Sequence, residues 1–278
     1  MIFDPDAEDY IRRIFAAGSF VVPHVQIAIE RFVIGCKSDP SPVAGVSNWA
    51  AIKACCLLAG PQTLVGSLIP LRGPAPANWN GNFVENDYDP LLGLKGDGST
   101  KRLPINWAST ADPQDNCHAA VWVTEPITVT NSQGKYLAVT NSNGGSARNL
   151  GWSANRSDRA GSTCNNGGIN SPTNRAAAWP SFFGVSRHQA DIYLERVSGA
   201  TDSVNKASAP PAAGGLVLFG RSNLTQDMSN ARIAFYSAGE SVTMEPLDNR
   251  LRRYLRDIAV GIASRPRISS PHLMGDCA

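Results

Sequence analysis

The 278-residue sequence has no long apolar run and no dense cluster of basic residues. Its longest apolar stretches, 54–59 and 64–71, are ended or broken by Gly or Pro and fall short of the ~20 residues that span a bilayer. The formal net charge is only +2, with scattered Lys and Arg, whereas a nucleic-acid phosphate backbone calls for a basic stripe. The acidic N-terminus lacks the positive charge of a secretory signal. We therefore expect a soluble protein that neither inserts into a membrane nor binds nucleic acid.

Cysteine is also scarce, with six residues in the whole chain. This is too few for a disulfide framework at this length, and no pair has the C-x-x-C spacing of a zinc site. We expect most of these cysteines to be small buried hydrophobic residues. Cys277 differs, because the segment before it contains two prolines and polar residues that do not favour core packing. Its thiol either stays free or forms an intermolecular disulfide.

The composition favours a mainly β protein with many turns. The chain has 25 Gly and 19 Pro, and its middle is rich in Asn and Ser, as in sandwiches and jelly rolls. Apolar alternation predicts strands at 103–107, 119–124, 136–139, 178–185, 192–197, 216–220 and 231–237. Residues 141–174 contain almost no apolar run and are predicted to form one long loop, either disordered or functional.

The two ends of the chain have helical spacing instead. A first helix should run from Pro5 to Gly18, a second from Pro23 to about Cys36, and a third should start after Ser47, which can cap it. The third would align Ile52, Cys55, Cys56 and Ala59 on one face. The predicted division is an N-terminal helical accessory domain (1–72), a linker (73–82), a β-sandwich (83–242), a C-terminal helix (243–264) and an extended tail (265–278). The C-terminal helix packs either on its own sandwich or against copies of itself.

Two segments carry a family resemblance. The first is GLKGDGSTKR at 93–102, a tight turn at Asp97-Gly98 that leads into DPQDNCH at 112–118. The second is the alternating strand in NARIAFYSAGE at 230–240. Together they resemble the laminin G-like, concanavalin-type jelly rolls of tail-fibre and other virion proteins of tailed bacteriophages. FVIGCK at 32–37 and WAAIKAC at 49–55 are similar to an accessory unit of the same proteins. The resemblance implies an antiparallel jelly-roll β-sandwich.

The resemblance also implies a function. It points to a structural protein of the virion, not an enzyme, that is assembled in the host cytoplasm and needs no cofactor. The main expectation is a short tail fibre, homotrimeric and attached to baseplate or tail proteins, whose lectin-like sandwich adsorbs to a bacterial surface glycan. Cys277 is the candidate for a disulfide to a partner. The alternatives are a capsid decoration or cement protein and a glycan depolymerase.

A depolymerase needs two carboxylates placed across a sugar bond. Glu85, Asp87 and Asp89 come closest, because alternate residues of an extended segment share one face. They do not match the Glu-x-Asp-x-x-Glu pattern of jelly-roll glucanases, so we assign no catalytic residue. Asp87, Asp89 and Asp97 are possible calcium donors, but the chain has no dense Asp/Asn ladder, so we assign no metal.

The remaining candidates are histidines and the residues of the long loop. His118 follows Cys117, and the two form either a reactive pair or packing residues before a strand. Shallow glycan sites combine exposed aromatic rings with Asn and Arg side chains. On that basis the predicted glycan-binding residues are Trp152, Arg148, Asn155 and Arg156 on the loop, with Trp107 nearby. In the alternative interpretation, Trp152 only anchors the loop to the sandwich.

Overall fold

The structure is a computed structural model that describes residues 4–78, 82–128, 134–139, 148–153, 156–166, 175–221 and 227–263. It is mainly β, with two antiparallel sheets in a sandwich-like arrangement and few helices. This confirms the predicted mainly β class. Among the described helices, none combines the length and the apolarity needed to cross a bilayer.

The helices are α1 (Pro5–Ala16), α2 (Pro23–Ser38), α3 (Asn48–Ala51), α4 (Leu64–Ser67) and α5 (Met244–Ala263). The strands are β1 (Ile52–Leu57), β2 (Tyr88–Asp89), β3 (Gly93–Lys95), β4 (Leu103–Ala108), β5 (Cys117–Glu125), β6 (Lys135–Val139), β7 (Asn149–Ser153), β8 (Arg156–Thr163), β9 (Arg175–Ala176), β10 (Ser181–Arg187), β11 (Ile192–Val197), β12 (Ala200–Asn205), β13 (Gly215–Leu218) and β14 (Arg232–Gly239). The seven predicted strands are confirmed as β4, β5, β6, β10, β11, β13 and β14, some with shifted ends.

The larger sheet has the strand order β12-β11-β10-β5-β14-β3-β2, and β1 also pairs with β14. The smaller sheet has the order β4-β13-β6-β7-β8-β9. Strand β14 pairs with three strands. Strand β5 pairs along one edge of β14, and on the other edge β1 pairs with its C-terminal part and β3 with Arg232 and Ile233 at its start.

Strand β5 is buried on both faces. Val121 and Val123 belong to the core between the two sheets, whereas Ala120 and Trp122 belong to a second core beneath the helices. This division follows from the two-residue period of a strand, which sends successive side chains to opposite faces. The larger sheet is therefore the middle of three layers: helices, larger sheet and smaller sheet.

Helices α1, α2 and α5 form the outer layer. In α5, Leu247, Leu251, Tyr254 and Ile258 are buried, in agreement with the apolar stripe in the sequence. The ring of Phe32 in α2 lies 6.1 Å from that of Tyr254 and 6.0 Å from that of a phenylalanine of β14. The C-terminal helix thus packs on its own sandwich, which confirms the first of the two predicted arrangements.

The predicted third helix is wrong. Helix α3 is a single turn, capped by the Ser47 hydroxyl oxygen, which accepts the Ala50 N–H at 3.2 Å, and the chain then continues as β1. Cys56 faces the core between the sheets while Cys55 and Leu57 face the helices. A short apolar run buried on both faces has no periodicity that separates a strand from a helix. Residues 1–72 therefore supply a strand of the larger sheet and share a core with it.

The predicted loop at 141–174 is also corrected. It contains β7 and β8, two paired strands of the smaller sheet. Few of their residues are apolar, and of the described side chains Leu150 and Ala160 belong to the hydrophobic core. With so few apolar positions the alternation is too sparse to be read from the sequence.

Candidate functional site

The three acidic residues considered as a catalytic pair do not share one face. Glu85 and Asp87 lie in a 3-10 turn rather than in an extended segment. The Glu85 carboxylate accepts the backbone N–H of Leu64 at 3.1 Å, and Asp87 pairs with Lys101 at 2.5 Å. Asp89 accepts the backbone N–H two residues further on, at 2.7 Å. Each carboxylate therefore has a local structural partner.

Asp97 has a similar role in the turn. Its Oδ1 accepts the backbone N–H groups of Ser99, Thr100 and Lys101 at 2.8 to 2.9 Å. Partial burial would raise the pKa of Asp97, but these hydrogen bonds outweigh it and hold the pKa well below its usual range. Within the described ranges, no group of three or more His, Cys, Asp or Glu is placed to hold a metal ion.

Two of the predicted glycan-binding residues, Arg148 and Trp107, bind the same buried carboxylate of Asp112. Arg148 is fully buried, and its Nη1 donates to Oδ2 of Asp112 at 2.6 Å and to the His118 carbonyl oxygen at 3.0 Å. The indole N–H of Trp107 donates to the same Asp112 oxygen at 2.9 Å. This buried ion pair joins β5 to the smaller sheet, and a glycan on the surface does not reach Arg148.

The side chains of the other predicted residues lie outside what the structure describes. Trp152 lies in β7 and Arg156 in β8, on neighbouring strands, but their side chains are outside what the structure describes. Asn155 and Cys277 also lie outside the described residues. Their proposed roles stay predictions.

His118 is buried and fully bonded. Its Nδ1 donates to the Glu240 carbonyl oxygen at 2.5 Å, so Nε2 accepts from the Ser237 hydroxyl at 3.0 Å, and the ring is the neutral tautomer with its proton on Nδ1. Burial lowers the pKa of His118 to about 3. An enclosed imidazole of this kind fits the packing interpretation and not that of a reactive base.

Sequence reasoning missed a groove of about 640 Å³ between α5 and the outer face of the larger sheet. Its walls come from the segment after β2, from the C-terminal half of β5, from the residue before β10, and from one side of α5. The lining residues are Leu91, Leu92, Trp122, Thr124, Pro180, Asn249, Arg252, Arg253, Leu255, Arg256 and Ala259. On the helix, positions 249, 252, 256 and 259 follow one another at steps of three and four, which places them along one side.

Arg252 is held in place at the base of the groove. Its guanidinium carbon lies 5.4 Å from the ring centroid of Trp122, a cation–π contact, and its Nε lies 2.9 Å from a carboxylate oxygen of Asp248. Asp248 is fully buried and also accepts from Nε of Arg196 in β11 at 2.8 Å. One buried carboxylate thus faces two arginines and ties α5 to the sheet.

Arg253 and Arg256 are the more accessible arginines of the groove. Their side chains are 49% and 69% exposed, and each lies 3.8 Å from Asp257, at a distance where an ion pair in water contributes little. No Asp or Glu lines the groove among the described residues. Leu92 and Pro180 supply an apolar wall. The groove therefore combines positive charge with apolar surface, which suits an anionic ligand that has an apolar face.

The sequence predicts the exposed arginines of this groove but not its position in the fold. The arginines of the C-terminal helix lie off its apolar stripe, which predicts that they are exposed. Nothing local indicates that the helix lies beside Trp122, which is more than a hundred residues away in the chain.

Comparison with known proteins adds evidence on the fold. No protein-family model and no curated protein sequence matches the chain. A sialidase from Trypanosoma rangeli aligns with a TM-score of 0.50 and 13% identity over 82% of this chain and 38% of that chain. The same sialidase with sialic acid aligns at 0.48, with 13% identity over 84% and 38%. A GH54 α-l-arabinofuranosidase soaked with a cyclic sulfate inhibitor aligns at 0.42, with 11% identity over 56% and 39%. This chain thus spans less than half the length of these proteins.

This comparison corrects two expectations from the sequence. The sialidase that matches at a TM-score of 0.50 is a glycoside hydrolase and not a tail-fibre protein. The prediction of a short tail fibre and the prediction of no enzymatic activity are therefore wrong, and the depolymerase alternative is better supported. At these sequence identities, the structural similarity shows the fold alone. The phage family, the virion location, the trimer and the baseplate partners stay predictions.

Proposed function

We propose that this protein is a carbohydrate-recognition β-sandwich that acts in glycan processing, and that the groove beside α5 binds an acidic saccharide. The observation that carries this proposal is the set of three arginines, Arg252, Arg253 and Arg256, in a groove with an apolar wall and no carboxylate among its described lining residues. We further propose that the sandwich is of the concanavalin or laminin G-like jelly-roll type.

The chemistry of an acidic sugar matches these walls. A pyranose ring has an apolar C–H face and a fringe of hydroxyls, and a uronic or sialic acid adds a carboxylate. The guanidinium group of arginine binds a carboxylate in a bidentate manner, with stronger hydrogen bonds than a neutral donor makes. The apolar face of the sugar then packs on Leu92 and Pro180. Trp122 is only 5% exposed and covered by Arg252, so it supports the groove rather than stacking on the ligand.

The test compares the binding of an oligosaccharide that carries carboxylates with the binding of the same oligosaccharide after its carboxylates are esterified. Isothermal titration with oligogalacturonate should give binding that weakens as salt is added, whereas the fully methyl-esterified oligomer should bind at least tenfold more weakly. The loss of one charge-assisted hydrogen bond costs about 1.5–3 kcal/mol, which is roughly 10- to 100-fold in Kd. Sialyllactose and lactose form a second matched pair of probes.

Variants locate the site. Arg256→Gln and Arg253→Gln should each weaken binding of the acidic oligomer by about tenfold or more, because each removes a charged donor. Arg12→Gln on α1 is the matched control, since Arg12 is also exposed, at 77%, and lies outside the groove. Equal binding of charged and esterified oligomers, or equal losses in the control, would refute the assignment.

Depolymerase activity is the second candidate. It is supported by the fold match to a sialidase at a TM-score of 0.50. Release of new reducing ends from polygalacturonate or from a sialylated polymer would establish it. Binding without release would leave recognition as the function of the groove.

The phage family resemblance is kept as a proposal of its own. It is supported by the segments at 93–118 and 230–240 and does not depend on the groove. Immunogold labelling of intact phage particles would test association with a virion. A non-reducing gel of virions, compared with Cys277→Ser, would test the proposed disulfide at the chain end.

A further inference from the structure

Two free cysteines face each other between the two sheets. Cys117 begins β5 in the larger sheet, and Cys164 directly follows β8 in the smaller sheet. Both are fully buried, and their sulfur atoms are 3.7 Å apart. A disulfide needs a sulfur–sulfur distance of about 2.05 Å, so the two side chains must close about 1.7 Å.

The surroundings make the two thiols unequal. The amide Nδ2 of Asn165 donates to the Cys117 sulfur at 3.2 Å, and Arg148 lies close by. The hydrogen bond with Cys164 lowers the pKa of Cys117, and the positive charge of Arg148 acts in the same direction. Burial raises the pKa of Cys164. Cys117 is therefore the better nucleophile for the oxidant, and Cys164 is the thiol that afterwards reacts with the oxidised Cys117.

The turn beside Cys117 lies near the surface. Cys117 follows the turn at 113–116, in which Gln114 and Asn116 are half-buried and the Asn116 N–H donates to the carbonyl oxygen of Pro113 at 3.2 Å. Both sulfur atoms are fully buried, so a protein thiol or disulfide does not reach them in the folded state, whereas a molecule as small as hydrogen peroxide needs only a local opening of this turn. The relevant oxidant is therefore a peroxide.

We infer that Cys117 and Cys164 form an intramolecular disulfide when the protein meets peroxide, and that this bond links the two sheets. The Cys117 thiolate attacks one peroxide oxygen, the O–O bond breaks, and hydroxide leaves and is protonated to water. The Cys164 sulfur then attacks the Cys117 sulfur of the sulfenic acid, and the S–O bond breaks. The hydroxyl group leaves together with the Cys164 proton as a second water. Two thiols lose two electrons and two protons, and one peroxide becomes two waters.

The bond would stabilise the sandwich. It closes a loop across a sequence separation of 47 residues that includes β6, β7 and β8, and so restricts the unfolded chain. On the loop-entropy model such a closure raises the melting temperature by about 5–10 °C in a chain of this size. The sandwich would then be more resistant in an oxidising environment than in a reducing cytosol.

The experiment uses the reduced full chain. It is treated with a small excess of hydrogen peroxide, quenched with catalase, alkylated with iodoacetamide in denaturant and digested without reductant. Mass spectrometry should find a cross-linked peptide pair holding Cys117 and Cys164, lighter by two hydrogen atoms than the separate peptides, and a reductant should reverse both the bond and the rise in melting temperature. Cys164→Ala should abolish the rise and leave Cys117 as a sulfenic acid that dimedone traps.

Cys36→Ala is the matched control, since Cys36 is equally buried but lies on α2, and it should keep the cross-link. The inference is overturned if both Cys117 and Cys164 are recovered alkylated after a peroxide dose that oxidises the denatured chain. It is also overturned if Cys117 is found only as sulfinic acid in the wild-type protein. The wild-type peptide map decides the matter even if Cys164→Ala does not fold.

Discussion

At the residue scale, His118 shows how burial sets the charge of a side chain. Its pKa of about 3 in the folded protein lies well below the value of about 6.5 for an exposed histidine. Between these two values the unfolded chain binds a proton that the folded protein does not. The free energy of unfolding therefore rises with pH across this window. The contribution of His118 to this free energy is lost as the pH falls from about 6.5 towards 3.

We expect this to be measurable above the pH range in which carboxylates titrate. Between about pH 6 and pH 5, His118 should contribute a slope of about 1 kcal/mol per pH unit to the free energy of unfolding. Urea denaturation at several pH values measures this slope. His118→Gln should flatten it, whereas His188→Gln, at a half-buried position outside the core, should keep the wild-type slope. An unchanged slope in His118→Gln would show that the histidine is protonated in the folded state.

At the element scale, β14 organises the larger sheet because it pairs with β5, β1 and β3. The pairing with β3 is close. Gly93 has a φ of +91°, and a Cβ at this position would lie 2.2 Å from the Ile233 carbonyl oxygen. Gly18, after α1, has a similar φ of +76° but no atom within 4 Å of such a Cβ.

These two glycines separate backbone strain from steric contact. Gly18→Ala should lower the free energy of unfolding by about 1 kcal/mol, the cost of a left-handed conformation for a residue with a side chain. Gly93→Ala should cost about 1–3 kcal/mol more, because the methyl group pushes β3 away from β14. Equilibrium denaturation of both variants gives the difference. Equal losses would mean that β3 is not held against β14 as described.

At the scale of the whole molecule, the helices and the larger sheet share one core. Residues of α1, α2, α5 and β1 pack together with Trp122, Phe182 and Phe235 from the central strands. The buried Arg196–Asp248 pair adds a polar link between β11 and α5. With this shared core, the helical layer and the sheet depend on each other for burial of their apolar faces.

We therefore expect one cooperative unfolding transition. Far-UV circular dichroism, which follows the helices, and tryptophan fluorescence, which follows the packing of the six tryptophans, should give coincident curves in heat and in urea. The physical reason is that loss of α5 or β1 exposes the apolar outer face of the sheet. Two separated transitions would instead support an N-terminal unit that folds independently up to residue 72.

The mainly β class, seven of the strands and the apolar stripe of the C-terminal helix could be predicted from the amino-acid sequence. These depend on spacing between near neighbours in the chain, which is local information. Strand β1 escaped prediction because a short run buried on both faces has the same apolar character in a helix and in a strand. Strands β7 and β8 escaped because most of their residues are polar or glycine and give no clear apolar alternation.

The positions of the polar and charged residues, by contrast, depend on how the layers of the fold pack. Arg148 is interior because Asp112, 36 residues away, neutralises it there, although the sequence around it suggested an exposed loop. The groove exists because α5 returns to the sheet and places Arg252 over Trp122. The thiols of Cys117 and Cys164 meet because two sheets stack. Contacts between residues distant in the chain depend on how the layers pack, and no local pattern encodes that packing.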